Sequence, residues 1–298
     1  MIDSKRRTMR KILATAAAVL LALVPSAQPA FAWGASGHSI VAEIAQRRLT
    51  PRAADRVADL LGRGVSLASI ASWADDVRDQ RPYGYNWHFV SIPNAEAAFD
   101  PARDCRTQSG GDCVLGELAR LQHELRCSTN PTIRMEALRY IVHFIGDMHQ
   151  PLHTFGEARG GNDIPVSVDI RATVCRNGCP VQQSNLHSVW DTLLIERTVY
   201  AWGAYVERLE GGWLRTADAE RIRGGDPVAW AEQSHAAAQR IVAMVPADGA
   251  IGEAYYGDTL LTLDSQLGAG GIHLAEYLNE TFAQGCDGQR SFGWLPWR

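Results

Sequence analysis

His143-Phe144-Ile145-Gly146-Asp147-Met148-His149-Gln150-Pro151-Leu152-His153 is the stretch on which the fold and the chemistry of this chain turn. It completes an apolar run that predicts a helix over residues 132–148. Gln150-Pro151 must break that helix, because proline lacks the donor and clashes with the preceding turn. His143 and Asp147 lie four apart and therefore share one helix face. His153 follows the break and can turn back toward the same space. His187 and Asp191 repeat the spacing on a helix predicted over residues 186–199. An imidazole and a carboxylate one turn apart can grip one divalent cation, and Zn²⁺ suits mixed nitrogen and oxygen donors. One such pair alone reads more simply as a surface hydrogen bond. Two pairs in apolar surroundings, Ile141-Val142 with Phe144-Ile145 and Val189-Trp190, favour metal, since an unpartnered buried charge is costly. His123, His149, His235 and His273 lack this pairing and read as structural or surface residues.

Outward from this stretch, helical signals dominate. Helices are expected over residues 39–49, from the Thr50-Pro51 cap through Leu61 to Gly62 or Gly64, and over residues 66–78 and 114–126. Another starts at Asp226-Pro227 and runs through Val245, and residues 255–282 are expected to hold two more. Residues 83–93 mix aromatics with Gly, Asn and Pro and read as extended loop. The one strand-like alternation, Ile164, Val166 and Val168, lies in residues 164–174, with Asn177-Gly178 as a turn beyond it. The fold class is mainly α, one domain over residues 33–285 with a small β-hairpin excursion, followed by an irregular tail at 286–298.

The apolar run at residues 12–24 is shorter than the ~20 residues a spanning helix needs. It follows Lys5, Arg6, Arg7, Arg10 and Lys11 and leads into Ala30-Phe31-Ala32, which is the plan of a signal peptide cleaved after Ala32. A secreted or periplasmic protein follows, with Arg6-Arg7 leaving a twin-arginine route open. Cleavage would make Trp33 the N-terminus, with an α-amino group titrating near ~7.7–8.0. In Trp33-Gly34-Ala35-Ser36-Gly37-His38 the glycines would let that amine and His38 reach one ion. Without residues 1–32 the chain keeps 24 basic and 32 acidic residues, a formal charge of −8 that argues against a basic nucleic-acid footprint. Every remaining basic residue is arginine, so Schiff-base and P-loop lysine chemistry is excluded. The six cysteines suit disulfides in an exported chain. Proximity suggests Cys105 with Cys113 and Cys175 with Cys179, leaving Cys127 and Cys286 for a long bridge.

Taken together, these residues resemble the zinc-dependent, single-strand-specific type I nucleases, which share a superfamily with bacterial zinc phospholipases C. The likeness rests on Trp33-Gly34 with Gly37-His38, Ala71-Ser72-Trp73-Ala74-Asp75, Trp87-His88-Phe89 and the stretch from His143 to His153. Gly160-Gly161-Asn162, Asn185-Leu186-His187-Ser188-Val189-Trp190-Asp191, Gln266-Leu267, Gly270-Gly271, Leu274-Ala275 and Leu278-Asn279 extend it to the end of the domain.

The resemblance implies a helical fold around three Zn²⁺ ions. One ion would be held by Asp75, His88, His143 and Asp147, and a close neighbour by Trp33, His38 and Asp147. The third would be held by His153, His187 and Asp191. It further implies Asp75 orienting the attacking water, Arg78 on the phosphate, Phe89 stacking on a base and Asn162 contacting substrate or shaping its loop. Sequence alone leaves Phe89 equally readable as a core aromatic. The implied activity is hydrolysis of single-stranded DNA and RNA to 5′-mononucleotides with 3′-nucleotidase action, by a monomer without a membrane partner. Ser91 departs from the fungal pattern, which has Asp on the base edge there, so base preference does not transfer. The segment around Cys175 and Cys179 is longer than the fungal one. The alternatives are a zinc phospholipase C acting on lipid headgroups and a non-catalytic zinc-binding export protein. Asp191, where phospholipases carry Glu, and the short spacing from Trp33 to His38 favour the nuclease.

Overall fold

The computed structural model describes residues 33–170, 181–199 and 201–286, all within the unit Phe31–Arg298. The long helices start where their capping chemistry places them. Helix α1, Ala35–Gln46, begins earlier than expected because Gly34 is its N-cap, and this puts His38 in the opening turn. Helix α2, Pro51–Leu61, is capped by the Thr50 side chain and stops at Gly62, whose φ is 96°. Helix α3 spans Val114–Cys127. Helix α4, Pro131–Met148, opens with the Asn130 side chain accepting from the Thr132 N–H at 2.9 Å. Helix α5, Trp202–Gly211, was not expected from the sequence. Helix α6, Pro227–Ala243, is capped by the Asp226 carboxylate at the Ala229 N–H.

Helix α7 is a single helix, Glu253–Ala283, where two were expected. Gly268, Gly270 and Gly271 do not break it. They form the face that lies against α1, where a Cβ on Gly271 would collide with Ile44 and one on Gly270 would stand 3.2 Å from Val41 Cγ2. Helix α4 is buried continuously from Tyr140 to Met148. An all-round apolar helix belongs in a core, and each fully buried Ile or Phe contributes ~1.5–3 kcal/mol. The metal-ligand candidates His143 and Asp147 therefore lie on the continuously buried half of α4.

Elsewhere the structure departs from simple periodicity. Residues 66–78 are not one helix but a 3₁₀ turn Leu67–Ile70, a short helix Trp73–Asp76 and a 3₁₀ turn Arg78–Gln80. The expected loop at 83–93 begins as a 3₁₀ helix, Pro82–His88, and only then becomes extended. The expected helix at 186–199 contains a π segment, Val189–Leu193, between Leu186–Ser188 and Leu194–Thr198. Strands β1 (Pro165–Val168) and β2 (Gln182–Asn185) pair antiparallel with Val166 opposite Ser184. A third strand, β3 (Ala250–Ile251), adds in parallel to β1, so the hairpin becomes a three-stranded sheet.

Cys105 and Cys113 form the expected disulfide, with their Cα atoms 5.1 Å apart. The Cys127 thiol is not bonded, so the expected bridge to Cys286 is not made. Cys286 Sγ instead donates to the Arg126 carbonyl. Cys175 and Cys179, the turn at Asn177-Gly178, residues 1–32 and the tail beyond Cys286 lie outside the described residues. Among the described residues no helix is long and apolar enough to cross a membrane.

Candidate metal centre

The break between Leu67–Ile70 and Trp73–Asp76 serves the site. The Asp75 N–H bonds to the Ser72 carbonyl, and the Ala71 carbonyl accepts from His143 Nδ1 at 2.7 Å. That bond orients the ring and directs His143 Nε2 at Asp147 Oδ2 (3.2 Å) and Asp75 Oδ1 (3.5 Å). His88 Nδ1 approaches the same point, 3.0 Å from Asp147 Oδ2 and 3.2 Å from His143 Nε2. The other oxygen of Asp147 faces His38 Nε2 at 3.3 Å. Asp147 thus stands between two groups of nitrogens, a placement from which one carboxylate can serve two ions.

His153 turns back after the Gln150-Pro151 break, as its position implies. Its Nδ1 donates to the His88 carbonyl at 2.7 Å, while His187 Nδ1 donates to the Gly160 carbonyl at 2.6 Å. With both Nδ1 protons committed, the two Nε2 atoms of the neutral rings carry lone pairs, yet they face each other at 3.2 Å. Asp191 Oδ2 closes the group 3.6 Å from His187 Nε2. Opposed lone pairs beside a buried carboxylate require a cation between them. Burial pulls His187 down to about 3, so its imidazole does not supply the positive charge, and burial pushes the Asp191 carboxyl well above the usual range, a desolvation cost that a bound cation would relieve.

The first group gathers two carboxylates that call for positive charge between them. Burial opposes charge on His143, but Asp147 and Asp75 push it up to about 10. Burial pulls His88 down to about 4. Both ring nitrogens of His38, together with Asp75 Oδ1 and Asp147 Oδ1, are buried without a hydrogen bond. Each such atom costs ~1–3 kcal/mol unless a ligand compensates it. Donor type and geometry fit zinc. Among the described residues, three His/Asp groups have mutually close ligand atoms: His38, His143 and Asp147; Asp75, His88 and His143; His153, His187 and Asp191.

The structure therefore brings together all eight expected side-chain ligands. Trp33 is fully buried, and the adjacent Gly34 N–H donates to the Asp191 carbonyl at 2.8 Å, which ties the start of the domain to the third group. Gln150 escaped the sequence reasoning. Its Nε2 donates to Asp191 Oδ1 at 2.6 Å and its Oε1 accepts from the Leu152 N–H, so it aims the carboxylate. Position next to the helix-breaking Pro151 was its only signal. Gly160, with φ 64°, belongs to a left-handed turn, and a Cβ there would press on the Leu152 carbonyl. The Asn162 side chain donates to the Arg159 carbonyl within this turn, which gives it a shaping role.

Gly146 lets α1 approach α4, since a Cβ would stand 2.7 Å from His38 Nδ1. Gly146→Ala should therefore displace His38 although alanine favours the helix by ~1 kcal/mol. Loss of one equivalent of zinc and of most of the activity is expected; unchanged zinc content would contradict it. Arg78 follows Asp75 by one turn, and its guanidinium lies over the Tyr85 ring with Cζ 4.2 Å from the centroid. Phe89 is half-buried rather than part of the core. It lines a cavity of about 260 Å³ with Asn86, Ser91, Gln108 and Asp112, walled by Cys113 of the disulfide.

This geometry has known counterparts. The family model for S1/P1 nuclease matches residues 33–283. The chain belongs to the S1/P1 nuclease family. It is 32% identical over 276 residues to Nuclease P1 of Penicillium citrinum, covering 83% of this chain and 97% of that protein. Nuclease S1 of Aspergillus oryzae is 31% identical over 206 residues, 67% of this chain and 66% of its own length. Endonuclease 2 of Arabidopsis thaliana is 35% identical over 179 residues, 55% and 56% of the two chains. As a member of the S1/P1 nuclease family, which is zinc-dependent, the protein is an endonuclease-type hydrolase, and the phospholipase C alternative is set aside.

Proposed function

We propose that the protein is an exported, trinuclear-zinc phosphodiesterase that hydrolyses single-stranded DNA and RNA to 5′-mononucleotides and removes 3′-phosphates from nucleotides. Asp75, His88, His143 and Asp147 hold one zinc, and the Trp33 amine and carbonyl with His38 and Asp147 hold a second. His153, His187 and Asp191 hold the third. The observation that carries this reading is the pair of opposed Nε2 atoms on His153 and His187, each locked by a carbonyl on its far side. Bound zinc supplies a water of lowered pKa near neutral pH and stabilises charge on the leaving 3′ oxygen.

The protein's own groups do the rest. Asp75, whose Oδ1 is buried without a hydrogen bond, would orient the attacking water toward phosphorus. Arg78 binds the non-bridging phosphate oxygens through its N–H donors. Phe89 offers a ring beside a cavity large enough for an unpaired base, which a duplex cannot supply without unstacking. Three Zn²⁺ would raise the charge of −8 to about −2 and concentrate the positive part in the cleft. An acidic exterior around a cationic site suits catalysis with weak non-specific strand binding.

The decisive assay offers the protein lacking residues 1–32 single-stranded DNA, RNA, a 3′-mononucleotide and phosphatidylcholine, with and without chelator. Chelator-sensitive release of 5′-nucleotides and of phosphate from the 3′-mononucleotide is expected. Lipid cleavage without nucleotide release would contradict the proposal.

A further inference from the structure

Tyr85 is 51% exposed, too open for a core residue, yet it is surrounded by ordered partners. Arg78 Cζ sits 4.2 Å above its ring. The Tyr85 and Phe89 rings meet edge-to-face, with centroids 6.3 Å apart and planes at 79°. Tyr85 belongs to the 3₁₀ helix Pro82–His88, in which residues three apart eclipse one another. Tyr85 and His88 therefore lie along one edge of this helix, with His88 buried among the candidate ligands.

We propose that Tyr85 is a positioning residue for Arg78: a cation–π contact holds the guanidinium over the metal centre in the orientation that receives phosphate. The inference rests on the assignment of Arg78 to phosphate made above. The chemistry is complementary, because an aromatic ring engages the face of a guanidinium whereas phosphate oxygens engage the donors around its edge. Stacking therefore does not compete with phosphate. It also reduces the freedom that a long side chain would otherwise lose on binding, which lowers the cost of each catalytic encounter.

A double-mutant cycle on the zinc-loaded enzyme tests this. Tyr85→Phe, Tyr85→Leu, Arg78→Ala and the Tyr85→Leu/Arg78→Ala double variant are compared for kcat/KM on a 3′-mononucleotide and on single-stranded DNA. Equilibrium binding of a 5′-mononucleotide, measured by calorimetry, provides a readout independent of turnover. Tyr85→Leu should lower kcat/KM and weaken nucleotide binding on the order of tenfold, whereas Tyr85→Phe, which keeps the ring, should stay within about twofold. With Arg78 already removed, Tyr85→Leu should change either quantity by less than about twofold, because the two residues act as one unit. An equal loss in both backgrounds, an equal loss in Tyr85→Phe, or loss of zinc from Tyr85→Leu would overturn the positioning role. Arg78→Ala at full activity would overturn the phosphate assignment itself, and the proposal with it.

Discussion

Asp147→Asn is expected to lower kcat on single-stranded DNA by on the order of 10³-fold or more, since metal assistance is worth several kcal/mol of barrier and each ~1.4 kcal/mol is tenfold. The substitution keeps shape and volume at a fully buried position on α4 and removes only the charge. Asp147 Oδ2 is within 3.2 Å of both His88 Nδ1 and His143 Nε2, and Oδ1 lies 3.3 Å from His38 Nε2. No neighbouring carboxylate stands in both places, because Asp75 faces only the His88 and His143 side. The expected zinc content therefore falls from about three per chain toward one, the survivor held by His153, His187 and Asp191. Elemental analysis beside the rate measurement checks it, and an active variant that retains all its zinc would be incompatible with a bridging Asp147.

A protein carrying Met or a tag ahead of Trp33 should be the next most damaged, losing on the order of 10²-fold in rate. Mutations one layer outside the ligands already cost 10–100-fold. Extension converts an amine with a metal-binding lone pair into an amide without one. The local structure offers little slack: the Trp33 side chain is buried, Gly34 is pinned to the Asp191 carbonyl, and a Cβ on Gly37 would stand 2.9 Å from Trp33 Cβ. Removing the extra residue with an aminopeptidase should restore the rate in step with zinc uptake. Full activity of the extended form would remove Trp33 from the ligand set.

What could be read from the sequence divides along physical lines. His143 with Asp147 and His187 with Asp191 are legible because a helix converts a spacing of four into proximity. Asp75 and His88 sit on short 3₁₀ and broken segments, where no period announces which side chains converge, and only the family resemblance supplied them. The Ala71 and Gly160 carbonyls that fix the histidine tautomers belong to the backbone, and residue identities do not reveal them. Gln150 carries its message in three dimensions, forty-one residues from the carboxylate it aims. The helix caps at Thr50, Asn130 and Asp226 act locally, and each starts a helix within two residues of its expected place. The glycines of α7 mislead because close approach to α1 and helix breaking call for the same residue. The π segment at Val189–Leu193 likewise leaves no mark on composition, although it lies between His187 and the body of its helix.

The account stands on three ions held by one set of His and Asp side chains, and zinc-edge anomalous scattering from crystals of the protein beginning at Trp33 addresses that directly. Three peaks are predicted, two flanking the Asp147 carboxylate and one enclosed by His153, His187 and Asp191. A single peak, or density for only two ions with nothing between the facing Nε2 atoms of His153 and His187, would contradict it.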